Sequence, residues 1–337
     1  MANDWESKYF YVGPFRKGLA RVELDDKEGY VDETGKEVIS PKYNSVGNFS
    51  EGLASVRLIA DGKWGYIDTK DKVIIPLKYD SVEDFSEGLA AVQLNYEWGF
   101  VDETGKEVIP PRYNSVGNFS EGLASVRLIA DGKWGYIDKT GDEVIPSVYD
   151  GVGAFSEGLA AVRLNYKWGF IDVTGKEVIP LKYDEAGEFY KGLAKVKLNG
   201  LWGLINQSDR YILDPLYDAI VGSSSAQRFQ VEMNGKWGIF DSLGNPITKI
   251  NFESIWIFCD GLAEFQLDGK WGYLNTLGEV VIAAKYDMVW GFDRGYSSVS
   301  LGSKHGLIDL QGNELWFEDK IEANKQCEIL RQNYPNQ

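Results

Sequence analysis

A Trp-Gly pair returns along this chain at a nearly fixed interval, and that interval constrains the fold more than any other feature. The glycine of the pair, or of a degenerate form of it, falls at Gly29, Gly65, Gly99, Gly135, Gly169, Gly203, Gly238, Gly272 and Gly306, in steps of 34–36 residues. Self-similarity at such a period marks stacked supersecondary units that cannot bury their apolar faces alone. Other marks keep the phase. An aromatic stands at Tyr9, Tyr43, Tyr79, Tyr113, Tyr149, Tyr183, Tyr217, Phe252 and Tyr286, read here as the opening of each repeat. Gly-Leu-Ala begins at Gly18, Gly52, Gly88, Gly122, Gly158, Gly192 and Gly261. Nine repeats cover about residues 8–318, giving an array over 1–318 and a tail over 319–337. Residues 29–68 and 99–138 differ only at Tyr30/Phe100, Ser40/Pro110 and Lys42/Arg112. This duplication offers any site within it twice.

Each repeat reads as strands. In Leu53-Ala54-Ser55-Val56-Arg57-Leu58, apolar and polar residues alternate, and Lys63-Trp64-Gly65-Tyr66-Ile67-Asp68 follows as a second strand. The joints between these strands are Asp61-Gly62, Asp131-Gly132, Asn199-Gly200, Asn234-Gly235, Asp268-Gly269 and Gly302-Ser303. Such pairs tolerate the positive φ of tight hairpins. The insertions Ile59-Ala60 and Ile129-Ala130 add two residues, which preserves the face each side chain occupies. A second turn, such as Asp102-Glu103-Thr104-Gly105, leads to a short third strand (107–110), with a fourth short extended piece before the next repeat. The expectation is an all-β open superhelix or solenoid of about nine β-meander repeats, with a propeller-like ring as the alternative, because rings usually close with four to eight blades. A short capping helix is expected at 319–332, although Ile321, Cys327 and Leu330 make a poor stripe.

Along the second strand, Trp64, Tyr66 and Asp68 share one face while Gly65 and Ile67 share the other. Stacked repeats are therefore expected to set the Trp of one against the bare Gly of its neighbour. This inter-repeat seal would comprise Trp64, Gly65, Trp98, Gly99, Trp134, Gly135, Trp168, Gly169, Trp202, Gly203, Trp237, Gly238, Trp271 and Gly272. The competing use of these rings is an exposed aromatic ladder for sugars or peptides.

The segments KWGYID, EWGFVD and KWGFID, with P.KYD.V..F.EGLA.V between them, resemble the WG-repeat family over almost the whole chain. The resemblance implies a bacterial, β-rich interaction or scaffold module with no general activity attached. Departures occur where Glu28 and His305 replace Trp in the first and last repeats, near Ser224–Phe229, and at Arg294, where Glu-Gly-Leu-Ala becomes Arg-Gly-Tyr-Ser.

The formal charge of −16 argues against a nucleic-acid or anionic-membrane partner and favours a cationic one. No run of 18 apolar residues suggests membrane insertion. The first residues lack a basic region followed by an apolar core, and two separated cysteines, Cys259 and Cys327, fit a reducing compartment. A cytoplasmic location is expected, with export by a leader outside this sequence left open. One histidine and two distant cysteines support no metal centre, no cofactor and no nucleophilic catalytic set. The recurrent Asp residues sit where turns begin, a capping role rather than a glycosidase pair. Glu51, Glu87, Glu121 and Glu157 occupy one phase in four successive repeats, and Lys191 breaks the row. They form a candidate acidic ladder for a partner, or a solvated edge. The expected function is a non-enzymatic scaffold binding a protein or peptide, with a basic one favoured, in an adaptor, immunity or assembly role. The alternative is glycan or cell-wall binding through exposed aromatics.

Overall fold

In the computed structural model, residues 5–59, 62–128, 132–223, 228–256 and 258–333 are described. Ala60, Asp61, Ile129, Ala130, Asp131 and residues 224–227 lie outside the described residues, which takes in the second two-residue insertion and Ala60 of the first, Asp61 and Asp131 of the turns and most of the Ser224–Phe229 departure. The second repeat shows the common plan. Strands Ser45–Val46, Leu53–Arg57, Trp64–Asp68 and Val73–Tyr79 form one antiparallel meander in sequential order. Among the described residues nine such sheets succeed one another, the seventh with three strands.

The boundaries differ from the sequence expectation in one respect. The phase-marking tyrosines from Tyr43 to Tyr217, and Tyr286, close the last strand of a sheet, as Tyr79 does, rather than opening a repeat. The fourth strand is also longer than the short third piece read from sequence. It runs Glu107–Tyr113 in the third sheet because it bulges, which lets it continue through Pro110 and Pro111 without breaking the pairing at either end.

The chain divides into two compact bodies, 1–194 and 195–337, and the division falls within the sixth sheet. Within each body the sheets pack on their sequence neighbours as an all-β repeat solenoid. The second sheet is therefore buried on both faces: Ala54 and Val56 are fully covered, and so nearly are Leu53 and Ser55 on the other side. The core lies between consecutive sheets. Tyr66, Ile75 and Tyr79 of the second sheet pack with Phe85, Ala90 and Val92 of the third. Tyr66 meets Phe85 edge-on at 5.0 Å, and Phe100–Phe119, Tyr136–Phe155 and Phe170–Phe189 repeat the pair at 4.8–4.9 Å. Directional bonds fix the same interface. Ser50 Oγ donates to the Phe85 carbonyl at 2.7 Å, and Ser86, Ser120 and Ser156 do the same to Phe119, Phe155 and Phe189. Tyr66 and Tyr136 donate to the carbonyls of Glu83 and Gly153.

The tail forms a helix, Lys320–Asn333. Ile321 is exposed, and the buried stripe is Ala323 with Cys327, four residues apart and set against the ninth sheet. A small residue and a thiol carry little hydropathy, which is why the stripe read poorly.

Because the inter-sheet bonds are chemically alike, removing residues 78–147 should leave a foldable chain. Leu77 then joins Val148, and Ser50 meets the Phe155 carbonyl that Ser120 meets now. The check is a cooperative melt and an unchanged circular dichroism band shape. An unfolded product would mean that non-neighbouring sheets stabilise one another.

Candidate functional site

The Trp-Gly pairs build each sheet rather than seal two together. A Cβ on Gly65 would lie 2.4 Å from the Ile75 carbonyl oxygen and 2.8 Å from the Leu77 nitrogen, both in its own fourth strand. Between Trp64 and Tyr66 the partner strand advances from Tyr79 to Ile75, so surplus residues arch across the glycine. Gly99, Gly135, Gly169 and Gly272 meet the same obstacle at 2.4–2.5 Å. The expected seal of Trp on a neighbouring repeat's Gly is therefore corrected: the glycine admits a bulge of its own sheet.

The tryptophans are half-buried at the margin of the cores; Trp98, Trp202, Trp237 and Trp271 each border one. The face of several is taken by the chain's own cations. Arg57 lies 4.9 Å from the Trp64 ring centre, Arg127 5.3 Å from Trp134, Arg163 5.6 Å from Trp168 and Lys197 5.2 Å from Trp202. Each cation stands opposite its ring across the hairpin. Trp134→Ala should accordingly cost about 2 kcal/mol, below the 3–5 kcal/mol of a fully buried ring, as read from a denaturant midpoint. Glu28, in the Trp position of the first repeat, accepts a bond from the Val46 N–H at 2.7 Å.

The candidate ladder is engaged along its length. Glu51 accepts a bond from the Gly88 N–H at 2.9 Å, Glu121 from Gly158 at 2.8 Å and Glu157 from Gly192 at 2.7 Å. Glu87 binds the N–H groups of both Glu121 and Gly122. Burial pushes the Glu87 carboxyl up, but Lys139 and these two N–H groups outweigh it and hold it below its usual range. Sequence reasoning missed what these residues do locally. Each Glu-Gly pair is a tight turn with positive φ at both residues, 52° and 89° at Glu51 and Gly52, closed by reciprocal bonds between Ser50 and Leu53. The signal was present: a Gly directly before a strand, preceded by a residue that must also turn left-handed. The Asp turns behave as expected, with Asp102 accepting bonds from Thr104 and Lys106.

Among the outward-facing apolar groups of the first body, which include Phe10 and Tyr190, the hairpin tips form a recurring set. Asn95-Tyr96 and Asn165-Tyr166 occupy the positions filled elsewhere by Asn-Gly or Asp-Gly. Both tyrosines have positive φ, 68° and 66°, and are 87% and 89% exposed. The equivalent hairpins of the second and fourth sheets expose Leu58 with Ile59, and Leu128. Four successive sheets thus present apolar side chains at equivalent places.

A succession of antiparallel meanders, most of them bulged and four-stranded, with the second to sixth bonded each to the next by the same serine, defines a β-repeat protein. The profile of the WG containing repeat matches residues 6–27, 29–64, 64–98, 98–134, 134–168, 168–202, 202–237, 237–271 and 271–304, and the chain belongs to that family. No curated protein matches its sequence. Among solved structures, a eukaryotic initiation factor superposes with a TM-score of 0.51 at 12% identity, covering 90% of this chain and 97% of that one, a likeness of fold alone. The extracellular domain of the putative one-component system BT4673 from B. thetaiotaomicron gives 0.36 at 10% identity over 91% of this chain and 56% of its own. PorZ, a surface component of the type-IX secretion system of Porphyromonas gingivalis, gives 0.33 at 8% over 91% and 51%. The chain spans about half the length of these last two.

Proposed function

We propose that the protein is a non-enzymatic scaffold that binds another protein or peptide through the hairpin tips of its first body. The observation that carries this reading is Tyr96 and Tyr166, held in a backbone conformation that glycine adopts freely and a bulky residue adopts at a cost of about 1–2 kcal/mol. Two large rings are kept there, almost wholly exposed, where other repeats write Gly. Tyr is enriched in the anchoring positions of protein interfaces. Leu58, Ile59 and Leu128 extend the row to four sheets. The net charge of −16 favours a basic partner through long-range attraction, while the Glu51 to Glu157 row serves chiefly as a clip between repeats. The glycan reading draws less support, because the recurrent tryptophans are half-buried and several are covered by Arg or Lys. The two free thiols keep a reducing, cytoplasmic setting as the favoured one.

The test is a comparison. Tyr96→Gly with Tyr166→Gly should leave the melting temperature equal or higher, since glycine suits both backbone positions. Proteins captured from lysate by the wild type and lost with the double variant support the proposal. An identical captured set moves the binding surface elsewhere.

A further inference from the structure

We infer that the second body carries a binding site for a quaternary ammonium group between its eighth and ninth sheets, walled by Trp256, Trp271 and Trp290 around the carboxylate of Glu264. The site is independent of the hairpin tips. Its cleft measures 310 Å³, and Met288, Val289 and Gly291 complete the lining. That is room for a trimethylammonium head with a short stem, at the lower end of ordinary ligand pockets.

The site arises from departures from the repeat. Trp256 and Trp290 stand where other sheets have Gly47, Gly117, Gly153 and Gly187, immediately after the first strand. Glu264 stands opposite Tyr273, where Ser55 faces Tyr66, Ala91 faces Phe100 and Ala161 faces Phe170. The residue facing Trp271 is Gln266, in the register position from which Arg57, Arg127 and Arg163 cover their own tryptophans. The array thus shows what this ring face attracts, and here the chain supplies no cation of its own. Gln93 and Glu232 likewise face Trp98 and Trp237, but the added tryptophans and the buried acid occur only here among the described residues.

Glu264 is 7% exposed. Burial holds its carboxyl above the usual range, and its own backbone N–H is the one group that opposes this shift. Among the described residues no cation pairs with it. Its Oε1 is 3.4 Å from where a Cβ on Gly291 would stand. A buried acid without a counter-charge costs stability, and such groups cluster at functional sites. The walls are held in place. Gln230 donates to the Trp256 carbonyl, and Tyr273 donates to the Trp290 carbonyl at 3.0 Å. Among the described residues none of the three indoles is paired with another ring or covered by a cation; Trp271 borders the core, while Trp256 and Trp290 are 60% and 41% exposed. Aromatic faces around a carboxylate suit a methylated ammonium, which sheds water more readily than a bare ammonium or a metal ion. Asp260 and Asp293 act on the neighbouring Cys259 with the same sign of charge, which disfavours ligands bearing their own acid beside the ammonium.

The test is titration of the full chain with tetramethylammonium and with choline, followed by calorimetry and tryptophan fluorescence. The uncharged analogue 3,3-dimethylbutanol is the control for shape. Saturable binding of both cations, at least tenfold tighter than the neutral analogue, is expected. Trp256→Gly and Trp290→Gly place at each position the residue that other repeats use and should each weaken binding at least tenfold with the fold intact. Glu264→Gln should weaken binding as much while raising the melting temperature. A peptide bearing trimethyl-lysine forms a further arm: tighter binding than choline places the ammonium on a protein side chain, and weaker binding places it on a small molecule. No saturable signal from either cation, equal binding of the neutral analogue, or unchanged affinity in Trp290→Gly overturns the inference.

Discussion

Gly135→Val should destabilise the first body by about 3 kcal/mol or more, at the upper end of overpacking costs. A Cβ at this position would stand 2.5 Å from the Ile145 carbonyl oxygen and 2.7 Å from the Ser147 nitrogen. Both are backbone atoms in the bulge of the fourth strand, so no side-chain rotation relieves the contact. The cost should be graded along the chain. At Gly203 the nearest atoms lie at 2.7 and 3.0 Å, and at Gly238 the nearest is the Ile250 side chain at 2.9 Å, with the Lys249 carbonyl at 3.0 Å. Valine at Gly238 should therefore be the mildest of the three. Denaturant midpoints for the three variants provide the measurement. Equal effects would show that loss of glycine flexibility, rather than the bulge, sets the cost. A wild-type midpoint for Gly135→Val would refute the bulge account.

The second large effect is alkaline unfolding. Burial pushes the phenol of Tyr30 up from 10.0 to about 12, and burial also raises Tyr66, Tyr136 and Tyr273. The folded state prefers the neutral phenol. Its contribution is thus complete below pH 10 and is lost as pH rises from there through the raised value. For Tyr30 alone, a displacement of about two pKa units corresponds to about 2.7 kcal/mol. Four such groups approach the whole stability of an ordinary domain, about 5–15 kcal/mol. Exposed phenols such as Tyr96 and Tyr166 ionise first, and far-ultraviolet circular dichroism should change together with a second, later phase of tyrosinate absorbance, above pH 10. If the whole tyrosinate amplitude appears in one phase around pH 10 while the β signal persists, these phenols are open to solvent.

How much of this was legible can be judged from particular residues. The period, the strands flanking Trp64 and the turns at Asp102 follow from spacing and local backbone preference, and the structure has them. The partner of Gly65 was not legible. Sequence says that a bare glycine marks a close approach, but not which strand approaches. The answer lies in a register shift between strands, which leaves no local signature. The Glu51 row illustrates a different limit. Recurrence at one phase says that four residues share an environment, and either a solvated edge or an acidic track fits that pattern. Only the geometry shows each carboxylate reaching the next turn. For the same reason the Trp256, Glu264 and Trp290 group stayed hidden. These residues come from two sheets, and each alone reads as decay of the repeat.

The bonds from Ser50 to Phe85 and from Glu51 to Gly88 have one further property: they span 35 and 37 residues of a 337-residue chain. Every sheet is a sequential meander, so its internal pairings are shorter still. The relative contact order is consequently low for an all-β protein, a class in which distant pairings usually slow the search. Loop closure at each step involves about one repeat, whatever the length of the array. A nascent chain can therefore complete one sheet and dock it on the last before the next emerges, so exposed strand edges are covered progressively during synthesis.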